Sequence, residues 1–490
     1  MSFAHRNDAV AESIGTQCSS HLRCGENCEN RTMTLSPQPL SPLDGRYHQS
    51  VAEIGQYLSE AGLNRARVHV EIEWLIKLAD EGLFGASLSV AEAAALREVA
   101  ANFGDDDVAR IREFEATTKH DVKAVEYLVR EHLDRLGLGR LAELTHFACT
   151  SEDINNLSYG ITFGQAVRNV WRPAAGEVVT ALSALATGER DTPMLSRTHG
   201  QPATPTTFGK EIAVFVHRLQ VTLREVDAIT LTGKFSGATG TFSAHIAAAP
   251  EIDWIRISRE FVESLGLEWN PLTTQIESHD TQAALLSRIG LVNRVLHNLC
   301  TDIWTYISNG FITQIPVKGA TGSSTMPHKV NPIRFENAEA NLEIATSLGD
   351  ALASTLVTSR MQRDLTDSTT QRNLGVALGH SLLALSNIRG GLGEIAINRS
   401  ALLADLGDNL EVLGEAIQTV LRAERAAGTT SVDNPYELLK ELTRGKRLTE
   451  DDLRSFIEGL ELSDVGKARL RALTPATYVG LASRLVDFLD

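Results

Sequence analysis

The run Gly322-Ser323-Ser324-Thr325-Met326-Pro327-His328-Lys329-Val330-Asn331-Pro332 carries the densest chemistry in this 490-residue chain. Gly319 and Gly322 let the backbone bend or come close to a ligand. Ser323 and Ser324 offer hydroxyls, and Lys329 offers a cation. Asn331-Pro332 reads as an N-cap with proline in the first helical turn, opening a helix that carries Phe335 to Leu356. A helix N-terminus favours negative charge. Hydroxyls, an ammonium and a helix dipole in one place suit an anion, or charge that develops in a transition state. A plain glycine-serine linker has no need of Met-Pro-His-Lys-x-Asn-Pro.

Three more polar runs carry reactive side chains: 117–123 with His120-Asp121, 149–156 with Thr150 and Ser151, and 196–205 with His199. An imidazole titrates near neutrality and suits proton transfer. The ordinary alternative for His199 is a loop histidine capping the helix after Pro205. A histidine followed by aspartate is common by chance, so His120-Asp121 is weak on its own.

These runs sit between long apolar stripes. Leu285, Ile289, Val292, Leu296, Leu299, Ile303 and Tyr306 recur at alternating spacings of four and three over 281–312, interrupted once by Gly290. A helix of that length extends on the order of 45 Å. Four further stripes run through 212–229, 167–185 (with Pro173 as an expected kink), 335–356 and 378–395. Five such helices must pack on one another or on another subunit. No alternating pattern is long enough for a major sheet. The expected class is therefore all-α. A helical region over 33–140 precedes the central bundle of 141–397, and a third helical region follows over 398–490.

Hydrophobic residues make up 43% and charged residues 22%, which fits a globular chain rather than a disordered one. The formal net charge of -16 argues against a non-specific nucleic-acid coat. No apolar run is long enough for a transmembrane helix, and the first 32 residues lack the apolar core of a signal peptide. Cys18, Cys24 and Cys28 lie in that opening stretch, at spacings that match none of the usual zinc sites. Cys149 and Cys300 are far apart, so a disulfide framework is not expected and a reducing cytoplasm fits. Residues 1–32 read as a disordered, dispensable extension, or Met33 as the true start.

The eleven-residue run resembles the fumarase/aspartase superfamily signature Gly-Ser-Ser-x-Met-Pro-x-Lys-x-Asn-Pro at every specified position. Within that superfamily, several stretches are similar to the longer bacterial type of the adenylosuccinate lyase family. They are Ser41-Pro42-Leu43-Asp44-Gly45-Arg46-Tyr47, Thr118-Lys119-His120-Asp121-Val122-Lys123, Thr150-Ser151-Glu152-Asp153-Ile154-Asn155-Asn156, Arg197-Thr198-His199-Gly200-Gln201-Pro202-Ala203-Thr204-Pro205 and Arg363-Asp364-Leu365-Thr366-Asp367-Ser368. The likeness covers about residues 36 to 490. Lys119 departs from it, since the long type usually has Asn before His-Asp.

The resemblance implies three helical domains and a homotetramer around a twenty-helix core, with active sites shared between subunits. It implies β-elimination of fumarate from succinyl-substituted purine nucleotides, with Ser323 as base and His199 as acid. His120 lies by the leaving group or phosphate, and Lys329 supports the charge that develops. Thr150, Ser151, Gln275, Lys329 and Asn331 would hold the succinyl carboxylates, with Val330 at a further substrate-binding position. Arg46, Tyr47, Ser368 and Arg372 would hold phosphate, with Lys119, Asp121, Asn337, Arg363, Thr369, Thr370 and Gln371 at further binding positions. Glu336 is a candidate to tune His199 or His120, or else a solvent-facing first-turn glutamate. Elimination needs no metal, hydride carrier or ATP, and no Walker A, Gly-x-Gly-x-x-Gly or His-Glu-x-x-His pattern occurs, so no cofactor is expected. The rivals are another superfamily lyase, such as argininosuccinate lyase, fumarase or aspartase, and a catalytically silent helical scaffold.

Overall fold

The computed structural model describes residues 38–316, 326, 329–443 and 448–489. Ser323, Ser324, Gly319, Gly322, His328, Met33, the three N-terminal cysteines and Arg444–Arg447 lie outside the described residues. The chain is all-α, with a bundle of long helices.

The first part comprises α1 (His48–Leu58), α2 (Glu60–Asp80), α3 (Val90–Ala101), α4 (Asp105–Thr118) and α5 (Asp121–Arg135). Val68, Ile72 and Leu75 of α2 meet Leu96 of α3 and Val125, Leu128 and Val129 of α5 in a core of their own. Next comes α6 (Ser151–Ala166), buried on almost every face, as a helix at the centre of a large core must be.

A π-helical turn over Val167–Trp171 joins α6 to α7 (Arg172–Gly188). The irregularity expected at Pro173 thus lies just before it. The backbone stays helical from α6 through this turn into α7, so the π turn is what accommodates the missing N–H of Pro173. A hairpin follows, of β1 (Pro193–Thr198) and β2 (Gln201–Thr207), and then α8 (Phe208–Asp227). β3 (Thr232–Gly233), α9 (Ser243–Ala248), α10 (Trp254–Ser264) and β4 (Glu268–Trp269) precede the 29-residue α11 (Asp280–Ser308). β5 (Ile312–Gln314), α12 (Ile333–Leu356), α13 (Thr366–Gln371), α14 (Leu374–Leu392) and β6 (Ile395–Ile397) complete the centre. Ile395, the last member of the fifth stripe, belongs to β6 rather than to the helix.

All five stripes are helical apart from their end members Ile229 and Ile395. They pack in a closed ring, α7 on α8, α8 on α11, α11 on α12, α12 on α14 and α14 back on α7. Their stripes form one apolar core with Phe163, Trp171 and Phe335. One polar chain crosses it: the Trp171 indole N–H donates to Ser381 Oγ at 2.8 Å, and Ser381 donates to Asn293 Oδ1 at 2.7 Å. Each group has its partner, so the burial is tolerated.

Sheet structure among the described residues is limited to three two-stranded pairings, β1–β2 and β5–β6 antiparallel and β3–β4 parallel. The last part holds α15 (Arg399–Gly407), α16 (Gly414–Ala426), α17 (Pro435–Thr443), α18 (Glu450–Gly459), α19 (Asp464–Arg471) and α20 (Ala482–Leu485). Ile417, Leu421, Leu453, Ile457 and Leu470 form a third core there. Among the described residues no helix is long and apolar enough to cross a membrane.

Candidate active site

The start of α6 is anchored before it can serve a ligand. The Asp153 carboxylate accepts from Thr150 N at 2.8 Å and from Ser236 N at 2.9 Å, and it faces Lys234 Nζ at 2.9 Å. Asp153 and Lys234 are fully buried, so each needs the other. Thr150 and Ser151 are left half-buried at the helix N-terminus, where amides and hydroxyls suit an anion.

Beside them stands Arg363. It donates to Gln275 Oε1 at 3.2 Å and to Ser368 Oγ at 3.1 Å, and it lies 3.3 Å from Glu152 Oε2. Gln275 is held in turn, its amide donating to Ala238 O at 2.9 Å. The fold thus joins Gln275, Arg363 and Ser368 in one donor-rich wall, which Glu152 links to the Thr150–Ser151 helix start. Such donors match carboxylate oxygens.

A second group adjoins through α6 and α13. Arg67, 1% exposed, donates to Asn155, to Asn64 and, at 2.8 Å, to Asp121. Arg372, one turn past Ser368, donates to Asp121 at 3.0 Å and to Glu60 at 2.7 Å. Burial works against the Asp121 charge, but Arg67, the Val122 amide and Arg372 outweigh it and hold the carboxyl below its ordinary value. His120 caps α5, its Nδ1 accepting from Lys123 N at 3.1 Å. That leaves the far edge of the exposed ring open. Lys119 precedes it with φ of 53°, closing α4 in the left-handed region.

The other candidate residues make contacts of their own. Tyr47 Oη accepts from Asn337 Nδ2 at 3.2 Å, and the Arg46 guanidinium lies 5.8 Å from the Tyr47 ring centre. Thr369 is exposed and Thr370 half-buried, while Gln371 is buried and donates inward to Gln282 at 3.1 Å. Lys329 and Val330 are exposed ahead of α12, and Val330 O accepts from Gln314. Pro332 rather than Asn331 is the N-cap of α12, since Phe335 N and Glu336 N donate to Pro332 O. Within the chain, Glu336 accepts from Trp304 Nε1 at 3.1 Å rather than from either histidine.

His199 occupies the tip of the β1–β2 hairpin. Thr198 pairs with Gln201, and the two residues between have φ of 54° (His199) and 75° (Gly200), both signs that a type I′ turn demands. The run is a hairpin, not an irregular loop, and the cap of α8 is Thr207. Arg197 is paired to Asp405 at 2.8 Å and Thr204 bonds to Glu415, which fixes the hairpin on the last part of the chain. Among the described residues no hydrogen bond or ion pair joins His199 to His120, Gln275, Arg363 or Arg372.

Behind the donor wall lie Glu152, His279 and Asp367, whose ligand-type atoms all fall within 4.8 Å of one another. All three are buried. Burial, with Asp367 beside it, pushes the Glu152 carboxyl up to about 7. Burial opposes the His279 charge, but Asp367, Glu152 and Glu277 outweigh it and raise the imidazole above its ordinary value. By ligand type the trio could receive a divalent cation, yet the Arg363 guanidinium already supplies positive charge to the same carboxylate.

Two family models match the chain, Lyase over residues 45–344 and Adenylosuccinate lyase C-terminal over 359–479. An adenylosuccinate lyase of Escherichia coli K12 is 46% identical over 453 residues, covering 92% of this chain and 98% of its own. One from Dictyostelium discoideum is 42% identical, covering 90% and 96%. The chain belongs to the adenylosuccinate lyase family. A fumarate lyase from Mesorhizobium sp. BNC1 superposes with a TM-score of 0.72 at 20% identity over 89% of this chain and 97% of its own. A 3-carboxy-cis,cis-muconate lactonizing enzyme from Pseudomonas putida gives 0.67 at 22%, over 89% and 95%. At those identities the likeness speaks for the fold alone.

In this adenylosuccinate lyase family member, reading the sequence missed Arg67, Glu60, His279 and the buried role of Glu152 and Asp367. Glu152 and Asp367 each adjoin a site residue in runs already singled out. His279 had one signal, a polar Glu-Ser-His-Asp run at the start of a long helix. Arg67, inside an unremarked helix, had none.

Proposed function

We propose that the chain catalyses β-elimination of fumarate from adenylosuccinate, giving AMP. The same cut is proposed in the succinylcarboxamide imidazole ribotide SAICAR, giving AICAR, so that the enzyme acts twice in purine biosynthesis. The observation that carries this reading is family membership along nine-tenths of the chain.

A succinyl group presents two carboxylates. The Thr150–Ser151 helix start, Gln275 and Arg363 supply donors for one of them, and Lys329, Val330 and Asn331 flank the other. Arg46, Tyr47, Ser368 and Arg372 take the phosphate, with Asn337 supporting Tyr47. Arginine's fork suits phosphate oxygens. Ser323 removes the proton from the carbon next to the carboxylate. The C–H pair becomes the new C=C bond, and the C–N pair leaves with nitrogen, which takes a proton from His199. His120 stands by the leaving group. A serine can serve as base only where its alkoxide is stabilised, and the α12 N-terminus and Lys329 are the candidates for that.

The proposed assembly is a homotetramer around a twenty-helix core, with active sites shared between subunits. Exposed apolar side chains on the bundle support it: Val214 and Val221 of α8, Leu291 and Trp304 of α11, and Ile344 of α12. Three domains are proposed over 33–140, 141–397 and 398–490; separate small cores in the first and last parts support this, although Ile54, Trp74, Val122 and Leu402 pack into the central core. The proposed location is the cytoplasm, consistent with the free thiols of Cys149 and Cys300.

The test is direct. Purified protein mixed with adenylosuccinate should release fumarate with the accompanying fall in nucleotide absorbance. Absence of fumarate from the correctly assembled protein would return the silent-scaffold reading.

A further inference from the structure

Behind the wall of Ser151, Gln275, Arg363 and Ser368 the chain has built a second layer that the elimination does not use. Glu152 directly follows Ser151, Asp367 directly precedes Ser368, and His279 lies four residues beyond Gln275. Three separate elements, α6, α13 and the start of α11, therefore each send one ionisable side chain to the same buried point.

We infer that His279 is a positioning residue that ties these three elements together and so fixes the donor wall. The inference rests on reading that wall as substrate-binding surface, with Ser151, Gln275 and Arg363 at the succinyl group and Ser368 at the phosphate.

His279 Nε2 stands 3.6 Å from Asp367 Oδ2, and Nδ1 stands 3.8 Å from Glu277 Oε2. The residue is fully buried and its backbone is left-handed, with φ of 59°. A non-glycine residue in that region is strained, so its surroundings must hold it there. Glu277 does part of this. Its Oε2 accepts from His279 N at 2.6 Å, while its Oε1 accepts from Thr232 and Asn270, each at 2.9 Å.

Charge makes the ring more than a spacer. Glu152, Asp367 and Glu277 face it from three sides. Lys234, the nearby buried cation, is committed to Asp153 and to Gly237 O. Arg363 is the remaining cation: it donates outward to Gln275 and Ser368 while its Nη2 also lies 3.3 Å from Glu152 Oε2. A protonated His279 offsets the carboxylates from within and leaves Arg363 free to keep that outward pose. Without it, the two carboxylates draw the guanidinium inward, away from the ligand face. Arg363 and the raised Glu152 then compensate each other instead of presenting donors.

The experiment compares the full-length enzyme with His279→Gln on adenylosuccinate. A folded variant should raise KM on the order of tenfold with kcat within about threefold, the pattern of lost uniform binding. The wild-type KM should rise with pH as His279 deprotonates, and the variant's should not. Asp367→Asn should raise KM in the same way, and it carries the test if His279→Gln does not fold. An unchanged KM in either folded variant overturns the inference, as does a loss confined to kcat. A tightly held metal ion whose removal reproduces the KM rise would also overturn it, in favour of a cation at the trio. Wild-type protein that releases no fumarate would sink the functional reading, and this inference with it.

Discussion

Asp121 is shared by two guanidinium groups, Arg67 at 2.8 Å from inside the fold and Arg372 at 3.0 Å from its surface. The two arginines differ in what else holds them. Arg67 is buried and bonded to two asparagines, whereas Arg372 is exposed and its other partner is Glu60, itself on the surface. An exposed pair of that kind contributes little and is readily exchanged. A nucleotide phosphate can therefore take Glu60's place on Arg372 while Asp121 keeps the guanidinium oriented.

Arg372→Ala should accordingly weaken nucleotide binding, raising KM on the order of tenfold to a hundredfold while kcat moves much less. Initial-rate kinetics with adenylosuccinate check this. A loss confined to kcat would remove Arg372 from the phosphate site.

Ser323→Ala should reduce turnover by on the order of a thousandfold or more while the protein still binds AMP and fumarate. Single-turnover fumarate release and product titration measure the two separately. Retained turnover with lost binding would reassign the hydroxyl to substrate anchoring.

Gly200 tests the hairpin that carries His199. A Cβ there meets nothing within 4 Å, so Gly200→Ala adds only the strain of a side chain at φ of 75°. That strain is about 1–2 kcal/mol, enough to shift the turn without unfolding a hairpin braced by Asp405. The expected result is a fall in kcat with a melting temperature within a few degrees of the parent, read by rate assay and thermal unfolding.

The raised Glu152 carboxyl makes a signed prediction about stability. Its folded value of about 7 exceeds the ordinary carboxylate value, so the native state holds the proton more tightly than the unfolded chain. That contribution is complete below the unfolded value, declines as pH rises, and is gone above about 7. Glu152→Gln cannot lose a proton, so between pH 5 and 8 its melting temperature should fall less than the parent's. Parallel curves for the two proteins would contradict the assignment.

How much of this was legible in the residues differs by element. The five stripes led to five helices because apolar periodicity survives any detail of packing. The Asn331-Pro332 boundary was off by one, which is the usual slack in a helix end. Residues 196–205 looked irregular because prolines and a histidine-glycine pair hide an alternating strand pattern, and the type I′ turn shows only once both φ values are known. Most of the donor wall could be assembled from motifs, since Thr150, Ser151, Arg363 and Ser368 sit in distinctive local runs, whereas Gln275 came only from the family resemblance. The ionisable layer behind it could not, because Glu152, His279 and Asp367 come from distant positions and only folding makes them neighbours.

The wide turn at Val167–Trp171 has a consequence for how this protein can change. One extra residue in a single turn offsets the rotational phase of the helix beyond it by about 100°. Val178, Leu182 and Ala186 are turned toward the bundle with that offset in place. Deleting any one residue from the turn would tidy the hydrogen-bond ladder and swing the whole of α7 to the wrong azimuth, so the locally irregular sequence is the one that keeps the ring closed.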